Sequence, residues 1–547
     1  MKLRTIVLII CCCTLLSAIC PAQENASRMD EIVQSYVSRK QFMGSVLIVR
    51  DQTVLFSKGY GSANLEWNIP NDSTTKFRLG SVTKQFTAAS ILLLEDRGKL
   101  KVDDPVKKYL PNAPAAWDKV TIYHLLTHTS GIPSFTEFPD YAPTEAIPTT
   151  PEKLVARFRN KPLEFQPGDK FKYSNSGYVL LGYLIEKVSG QTYSQFVEEN
   201  IFKPLKMQDS GYDSNSAIIP HRASGYTPDG IGIRNTGYVD MTIPFSAGAL
   251  YSTTEDLVRW EQGLYGGKLL SAASLQKMTT PAKDNYAMGL TVSTENGHRK
   301  FSHGGGIEGF NTSLAYYPDD KLAVVVLGNL NGGAPDQIAL QLADVVHGQQ
   351  VVLPNERKEV AVPPETLAKY LGVYELAPGF DLAVTLEGTQ LMTQATGQPK
   401  LPVYAEAQNK FFLKVVDAQL EFFADDKGKV TYLVLHQNGR DMKAIKKSDK
   451  ASTTPARKEI SVTPAVLQKY VGDYELAPGF VISMTLENGQ LMTQATGQPK
   501  FPMYAETENK FFLKVVDAQV EFFKDETGAV TYAILHQGGR DMRAAKK

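Results

Sequence analysis

Gly80-Ser81-Val82-Thr83-Lys84-Gln85-Phe86, running on to Leu94, sets a hydroxyl and an amine three positions apart at the head of a helix pattern. Val82, Phe86, Ala89 and Leu93 recur at steps of four, three and four, the spacing of one helix face. Ala88, Ile91, Leu92 and Leu94 make the segment apolar nearly all round. A helix of that kind is buried in a domain core. Glu95, Asp96 and Arg97 return to water, and Gly98 supplies a left-handed stop. Residues three apart share a helix face, so Ser81 and Lys84 are expected side by side. A buried ammonium there is costly unless it is paired or hydrogen-bonded. Taken alone, the pair reads first as an N-cap serine and a surface lysine, so the rest of the chain has to decide.

Working outward, Ser45-Val-Leu-Ile-Val49 and Val54-Leu-Phe56 read as an antiparallel hairpin, and Phe77-Arg-Leu79 as a short strand feeding the Ser81 helix. Ahead of them, 24–43 holds a short amphipathic helix with Ile32, Tyr36 and Val37. From 100 to 280 helical stretches alternate with Pro- and Gly-rich loops. Short apolar runs at 286–293, 299–303, 309–317 and 322–328 are strands, with turns at Glu295-Asn-Gly297 and Pro318-Asp-Asp320, and 334–348 is a closing helix. Strands at both ends around a helical middle predict one α/β domain over 24–350, with its sheet built from both termini of the segment.

The chain has 547 residues, too many for one core. Residues 1–22 have the plan of a secretory signal peptide: Lys2 and Arg4, an apolar run from Ile6 to Ile19, then Cys20-Pro21-Ala22. The run is too short to span a bilayer. Lipidation of Cys20 is the alternative, disfavoured by the bulk of Ile19. Cys11, Cys12, Cys13 and Cys20 all fall in this segment, so a mature chain from Gln23 has no disulfide, thiol nucleophile or thiolate metal site. That usage suits a bacterial periplasm or cell surface. Without Lys2 and Arg4, 56 basic residues face 58 acidic ones, and nothing marks a nucleic-acid footprint.

Past Val351 the chain repeats itself. Pro354 to Pro363 is a charged linker, after which Tyr370-Leu-Gly-Val-Tyr-Glu-Leu-Ala-Pro-Gly-Phe380 returns as Tyr470-Val-Gly-Asp-Tyr-Glu-Leu-Ala-Pro-Gly-Phe480. Residues 364–447 and 464–547 share 59 of 84 positions at a constant offset of 100. Each copy alternates apolar and polar residues between turns, so each is a small all-β module, and two copies are too few for a solenoid. The pairs Phe411-Phe412 and Phe422-Phe423 are expected in module cores rather than on a carbohydrate platform.

Three stretches bear on Ser81. Lys172-Tyr173-Ser174-Asn175-Ser176-Gly177 opens a second apolar helix that ends at Gly190. Phe301-Ser302-His303-Gly304-Gly305-Gly306 closes a strand, where glycines let a ligand backbone come close. Ser246 to Ser252 is a small-residue loop. The order Ser-x-x-Lys, Tyr-x-Asn, His-Gly-Gly resembles the serine β-lactamase and penicillin-binding-protein superfamily, and within it the class C β-lactamase, D,D-peptidase and esterase branch. The separations fit, with about 90 residues from Ser81 to Tyr173 and about 130 more to His303. Thr121-Ile-Tyr-His-Leu-Leu-Thr-His-Thr-Ser-Gly131 also looks like a segment of that family.

The resemblance implies a β-lactamase/transpeptidase-like fold, an antiparallel sheet flanked by helices plus an all-helical region, followed by the two β-modules. It implies Ser81 as nucleophile, Lys84 as holder or taker of the serine proton, and Tyr173 as general base. Asn175 would position the substrate amide, and the N–H groups of Ser81 and Gly306 would form the oxyanion hole, with His303, Gly304 and Gly305 beside them. His303 stands where penicillin-recognising members commonly carry lysine, which puts efficient β-lactam hydrolysis in doubt. No class A deacylation glutamate is evident. His124 and His128 have zinc-helix spacing, but Leu125 replaces the needed glutamate, so both are expected to be structural and no metal or cofactor is called for. The expectation is an exported serine hydrolase acting on a small molecule or peptide (a D-amino peptide, small ester or β-lactam) with no membrane span. The alternative is a cell-wall peptide or acyl-ligand binding protein whose repeats dock a partner; repeats that bind a partner or cap the site fit either reading.

Overall fold

The computed structural model describes residues 21–228, 232–396, 398–437, 440–449, 459–477, 480–487, 489–495, 500–513, 518–537 and 540–547. The signal peptide expected over 1–22 and Cys20 lie outside them, save Pro21 and Ala22. The chain divides into two compact units between Val351 and Val352.

In the first unit, helix α1 (Pro21–Ser38) precedes strands β1 (Gly44–Arg50) and β2 (Thr53–Tyr60), then β3 (Phe77–Arg78). A single 3₁₀ turn over Gly80–Val82 leads into α2 (Thr83–Asp96), followed by α3 (Asn175–Ser189) and β4 (Gly211–Tyr212). Next come the short α4 (Phe245–Gly248) and β5 (Leu250–Ser252). The unit closes with β6 (Thr291–Glu295), β7 (His298–Ile307), β8 (Phe310–Tyr317), β9 (Leu322–Gly328) and α5 (Ala334–Val346). The main sheet runs β6-β7-β8-β9-β1-β2, antiparallel, and the chain's two ends join where Gly44 pairs Gly328 and Ile48 pairs Val324.

Both faces of the sheet centre are covered. β9 is buried at every position, and β1 at all but Arg50. Leu47, Val49, Ala323, Val325 and Leu327 join the large core of α2, α3 and the helix Thr254–Tyr265. Val46, Ile48, Val324 and Val326 are buried too, and strand alternation turns them to the other face. The apolar run after Ser81 is buried from Thr83 to Leu94. Phe86 stacks on Trp260 at 4.1 Å, and the Trp260 indole donates to Gln85. The Asn296-Gly297 turn has both residues left-handed, at φ 48° and 87°, as a tight β6–β7 hairpin requires.

In the second unit each repeat opens on a short helix, Pro364–Tyr370 in the first and Pro464–Leu467 in the second. The second repeat closes into an eight-stranded antiparallel barrel. The first forms a nine-stranded sheet in the same order, because the strand Lys500–Ala505 is represented there by two short ones, Leu401–Pro402 and Tyr404–Ala405. Phe411, Phe412 and Phe422 are buried, as expected of core residues. Phe423 is half-buried and stacks on Tyr432 at 4.8 Å. Among the described residues no helix is long and apolar enough to cross a membrane.

Candidate active site

Lys84 is fully buried, and its amine has three oxygen neighbours from three distant segments. Nζ lies 3.0 Å from Ser81 Oγ and donates to Asn175 Oδ1 and the Ala247 carbonyl, each at 2.9 Å. Ser81 sits in the 3₁₀ turn two residues before α2 begins at Thr83, and Asn175 is the first residue of α3. Ala247 belongs to α4, whose Phe245 is held at φ 42°. Burial holds the amine well below the usual lysine range.

Tyr173, half-buried, hydrogen-bonds Ser81 through its hydroxyl, and its ring lies 4.8 Å from Lys84 Nζ. Burial raises the phenol above its ordinary range, and the Ser81 bond opposes that only in part. The ring is braced from behind by His128, centroid to centroid 4.2 Å. His128 adopts φ 56°, and its Nδ1 accepts from the Ser174 N–H at 3.1 Å. Nε2 therefore carries the proton. Burial, Lys84 and His303 keep the ring neutral. His124 caps its own helix, its Nδ1 accepting from the Thr121 N–H. Asn175 donates through Nδ2 to Thr136 Oγ1 at 3.1 Å, so its amide is fixed between that residue and Lys84.

The glycine run serves a different end from the one expected. Gly304, Gly305 and Gly306 lie within β7, not beyond it, and pair with Ser313, Thr312 and Asn311. A Cβ on Gly305 would fall 1.9 Å from the Leu79 carbonyl oxygen, so the backbone this glycine admits is the protein's own Ser81 turn. Gly80, at φ 51°, leans on Gly306 from the other side. Of the three, Gly306 lines the cleft.

His303, expected beside the oxyanion donors, has its ring turned into the protein. The ring is buried, Nε2 pairs with the Tyr286 hydroxyl at 3.0 Å, and Nδ1 lies 2.6 Å from the Gly304 carbonyl. Burial first, then Lys84, pushes it down to about 4, so it is neutral at working pH. Strand alternation is the reason: His303 and Gly305 face inward while Gly304 and Gly306 face out. Tyr286, which the sequence did not single out, is the partner that holds this ring.

The cleft above Ser81 is lined by Phe135, Thr136, Tyr141, Asn175, Ile307 and Glu308 among others. Elsewhere His298 Nδ1 and His347 Nε2 approach one oxygen of Asp320 at 2.8 and 3.1 Å. Their rings stack at 3.7 Å and 9°, so a metal on both would lie out of at least one ring plane, and the trio reads as a hydrogen-bonded link between β7 and the end of α5.

Residues 29–349 match a family model described as Beta-lactamase, and 356–447 and 456–546 match one described as a domain of unknown function, DUF3471. The chain is similar to penicillin-binding protein 4* of Bacillus subtilis, 29% identical over 453 residues that cover 78% of this chain and 99% of that one. It also resembles the solved octameric penicillin-binding protein homologue from Pyrococcus abyssi, with TM-score 0.55 and 28% identity over 77% of this chain and 99% of that one. A D-stereospecific amidohydrolase from Streptomyces matches with TM-score 0.51 and 26% identity over 59% of this chain and 99% of that one.

Proposed function

The chain belongs to the β-lactamase family of serine hydrolases, and on that premise we propose that it is exported and cleaves an amide or ester through an acyl-Ser81 intermediate. The observation that carries the reading is the buried, depressed amine of Lys84 3.0 Å from Ser81 Oγ. A neutral amine can accept the serine proton, whereas an ammonium cannot.

In this reading Ser81 Oγ attacks the acyl carbon as its proton passes to Lys84. The oxyanion is received by the N–H groups of Ser81 and Gly306. Tyr173, whose phenol is kept protonated by burial, is better suited to hand a proton to the leaving nitrogen or oxygen than to act as a resting phenolate. Lys84 then restores the phenol's proton. Water attacks the acyl carbon in the second half by the same relay, reversed. D-amino peptides, amides and small esters are the favoured substrates. β-Lactams are disfavoured, because a neutral, inward-facing His303 offers no charge to their carboxylate.

The test is labelling by a fluorophosphonate and by fluorescent penicillin, with turnover of ester and D-amino amide substrates read on the same samples. Wild type labels with the fluorophosphonate and turns over, and Ser81→Ala does neither. Equal labelling of both proteins removes Ser81 from the mechanism. Labelling without any turnover makes the chain a ligand-binding protein.

A further inference from the structure

We propose that Glu308 makes the cleft a site for acyl donors that carry an ammonium group, and that it turns carboxylate-bearing ones away. The inference rests on the hydrolase reading of Ser81 and names the class of substrate that site takes.

Glu308 is the charged side chain among the residues lining the cleft, which it shares with Ser81, Asn175 and Gly306. Its carboxylate has no ion-pair or hydrogen-bond partner among the described residues. It stands on a fixed support. Glu308 and Gly309 form the two-residue turn between Ile307 and Phe310, with Gly309 at φ 79°. The Asn331 side chain clamps both sides of that turn, accepting from the Gly309 N–H at 2.8 Å and donating to the Ile307 carbonyl at 3.1 Å. The backbone that presents the carboxylate to the cleft is therefore fixed.

Nothing nearby cancels the charge. Arg157 is engaged by Asp140 at 3.2 Å and lies over the Phe135 ring. Lys84 is buried under the floor and depressed, and His303 is neutral. The Glu308 charge reaches Glu145 and Tyr141 on the cleft wall, since the carboxyl and the hydroxyl are both raised, by burial first and then by Glu308. A substrate cation entering the cleft therefore finds an unpaired anion. A substrate carboxylate meets repulsion and no cationic anchor. Unacylated D-amino acid amides and esters, and peptides with a free amino terminus, satisfy this. N-acylated peptides ending in a carboxylate do not.

The experiment uses the full-length protein and three p-nitroanilides of D-alanine: the free amine, the N-acetyl and the N-succinyl forms. The neutral acetyl form separates size from charge. Wild type is expected to prefer the free amine over the succinyl form by about a hundredfold in kcat/KM, with about tenfold from attraction and the rest from repulsion. Glu308→Gln compresses that ratio by most of the hundredfold, mainly through KM, and Glu308→Lys reverses its order. Salt at about 0.5 M narrows the wild-type ratio. An anilide that is not turned over is read by its competition with fluorophosphonate labelling of Ser81, so every compound gives a number. Equal values for the three compounds in wild type, or an unchanged ratio in Glu308→Gln, overturn the assignment of Glu308. Failure of Ser81 to label overturns the hydrolase reading instead.

Discussion

Gly305→Ala tests the way the nucleophile is held. The added Cβ falls 1.9 Å from the Leu79 carbonyl oxygen and 2.3 Å from Thr312 Oγ1. Carbon and oxygen tolerate about 3.3 Å, so Leu79 must retreat by about 1.4 Å. Leu79 is two residues before Ser81, and the hydrogen bond it accepts from Thr312 Oγ1 at 3.0 Å breaks as it moves. Overpacking costs about 1–3 kcal/mol and the lost bond about 1 more, which lowers the melting temperature by several degrees. The effect on rate is larger. A displacement of about 1 Å between nucleophile, amine and oxyanion donors costs about 10²-fold. Gly304→Ala is the internal control. Its Cβ meets nothing nearer than the Asp336 carboxylate at 3.4 Å, and it should keep most of the activity. The assay is kcat/KM for a p-nitrophenyl ester with a parallel thermal melt. Wild-type rate and melting in Gly305→Ala, or a worse outcome for Gly304→Ala, refutes the claim that this strand supports the Ser81 turn.

Two further outcomes follow from the buried amine and the buried imidazole. Lys84→Gln keeps a polar group of similar reach but cannot take the serine proton, so acylation falls by about 10²–10⁴-fold with little change in melting, measured by the rate of fluorophosphonate labelling. An undiminished labelling rate would assign the proton to another group. His303, about 4 in the folded protein and near 6.5 when unfolded, is a base whose folded value is depressed. The unfolded chain binds the extra proton between those values, so stability is full above pH about 6.5 and is lost as pH falls toward about 4, by up to about 3 kcal/mol. Urea midpoints across that range should fall less steeply in His303→Asn, and equal slopes would contradict the assignment of the buried neutral ring.

Much of this was legible because local chemistry and long-range packing agree. The apolar run behind Ser81 could only be a buried helix, Gly190 ends α3 in the left-handed conformation at φ 74°, and the Asn296-Gly297 turn is where a hairpin turn must be. The repeat gave the two β-modules outright. His303 shows what a motif carried over as a string leaves out. Its position was read without the period of the strand that bears it, although an outward Gly306 already forces residue 303 inward. Glu308 and Tyr286 left no mark in the sequence, and the small-residue loop at 246–252 did not show that its Ala247 carbonyl meets Lys84, since each matters only through a neighbour hundreds or tens of residues away.

The amine of Lys84 explains why three separate segments converge where they do. As a neutral group it has two N–H bonds and a lone pair, and its surroundings match: two pure acceptors, Asn175 Oδ1 and the Ala247 carbonyl, and one hydroxyl, Ser81, that can donate. Once the serine proton arrives it has three N–H bonds, and the same three oxygens accept all of them. No side chain has to turn between the two states. Burial opposes the charged form and the three oxygens favour it, so the two effects work against each other on one group. A base that must both take and return a proton within one turnover needs that opposition, because an amine that is too basic is already protonated and cannot accept, and one that is too weakly basic does not take the proton at all. Replacing Asn175 by leucine should therefore do more than loosen the substrate. By removing one acceptor it should push the amine further toward neutrality and weaken it as the acceptor of the serine proton. Acylation would then slow relative to wild type, visible as slower fluorophosphonate labelling and no burst of p-nitrophenol, and a pronounced burst would refute this role of the acceptor.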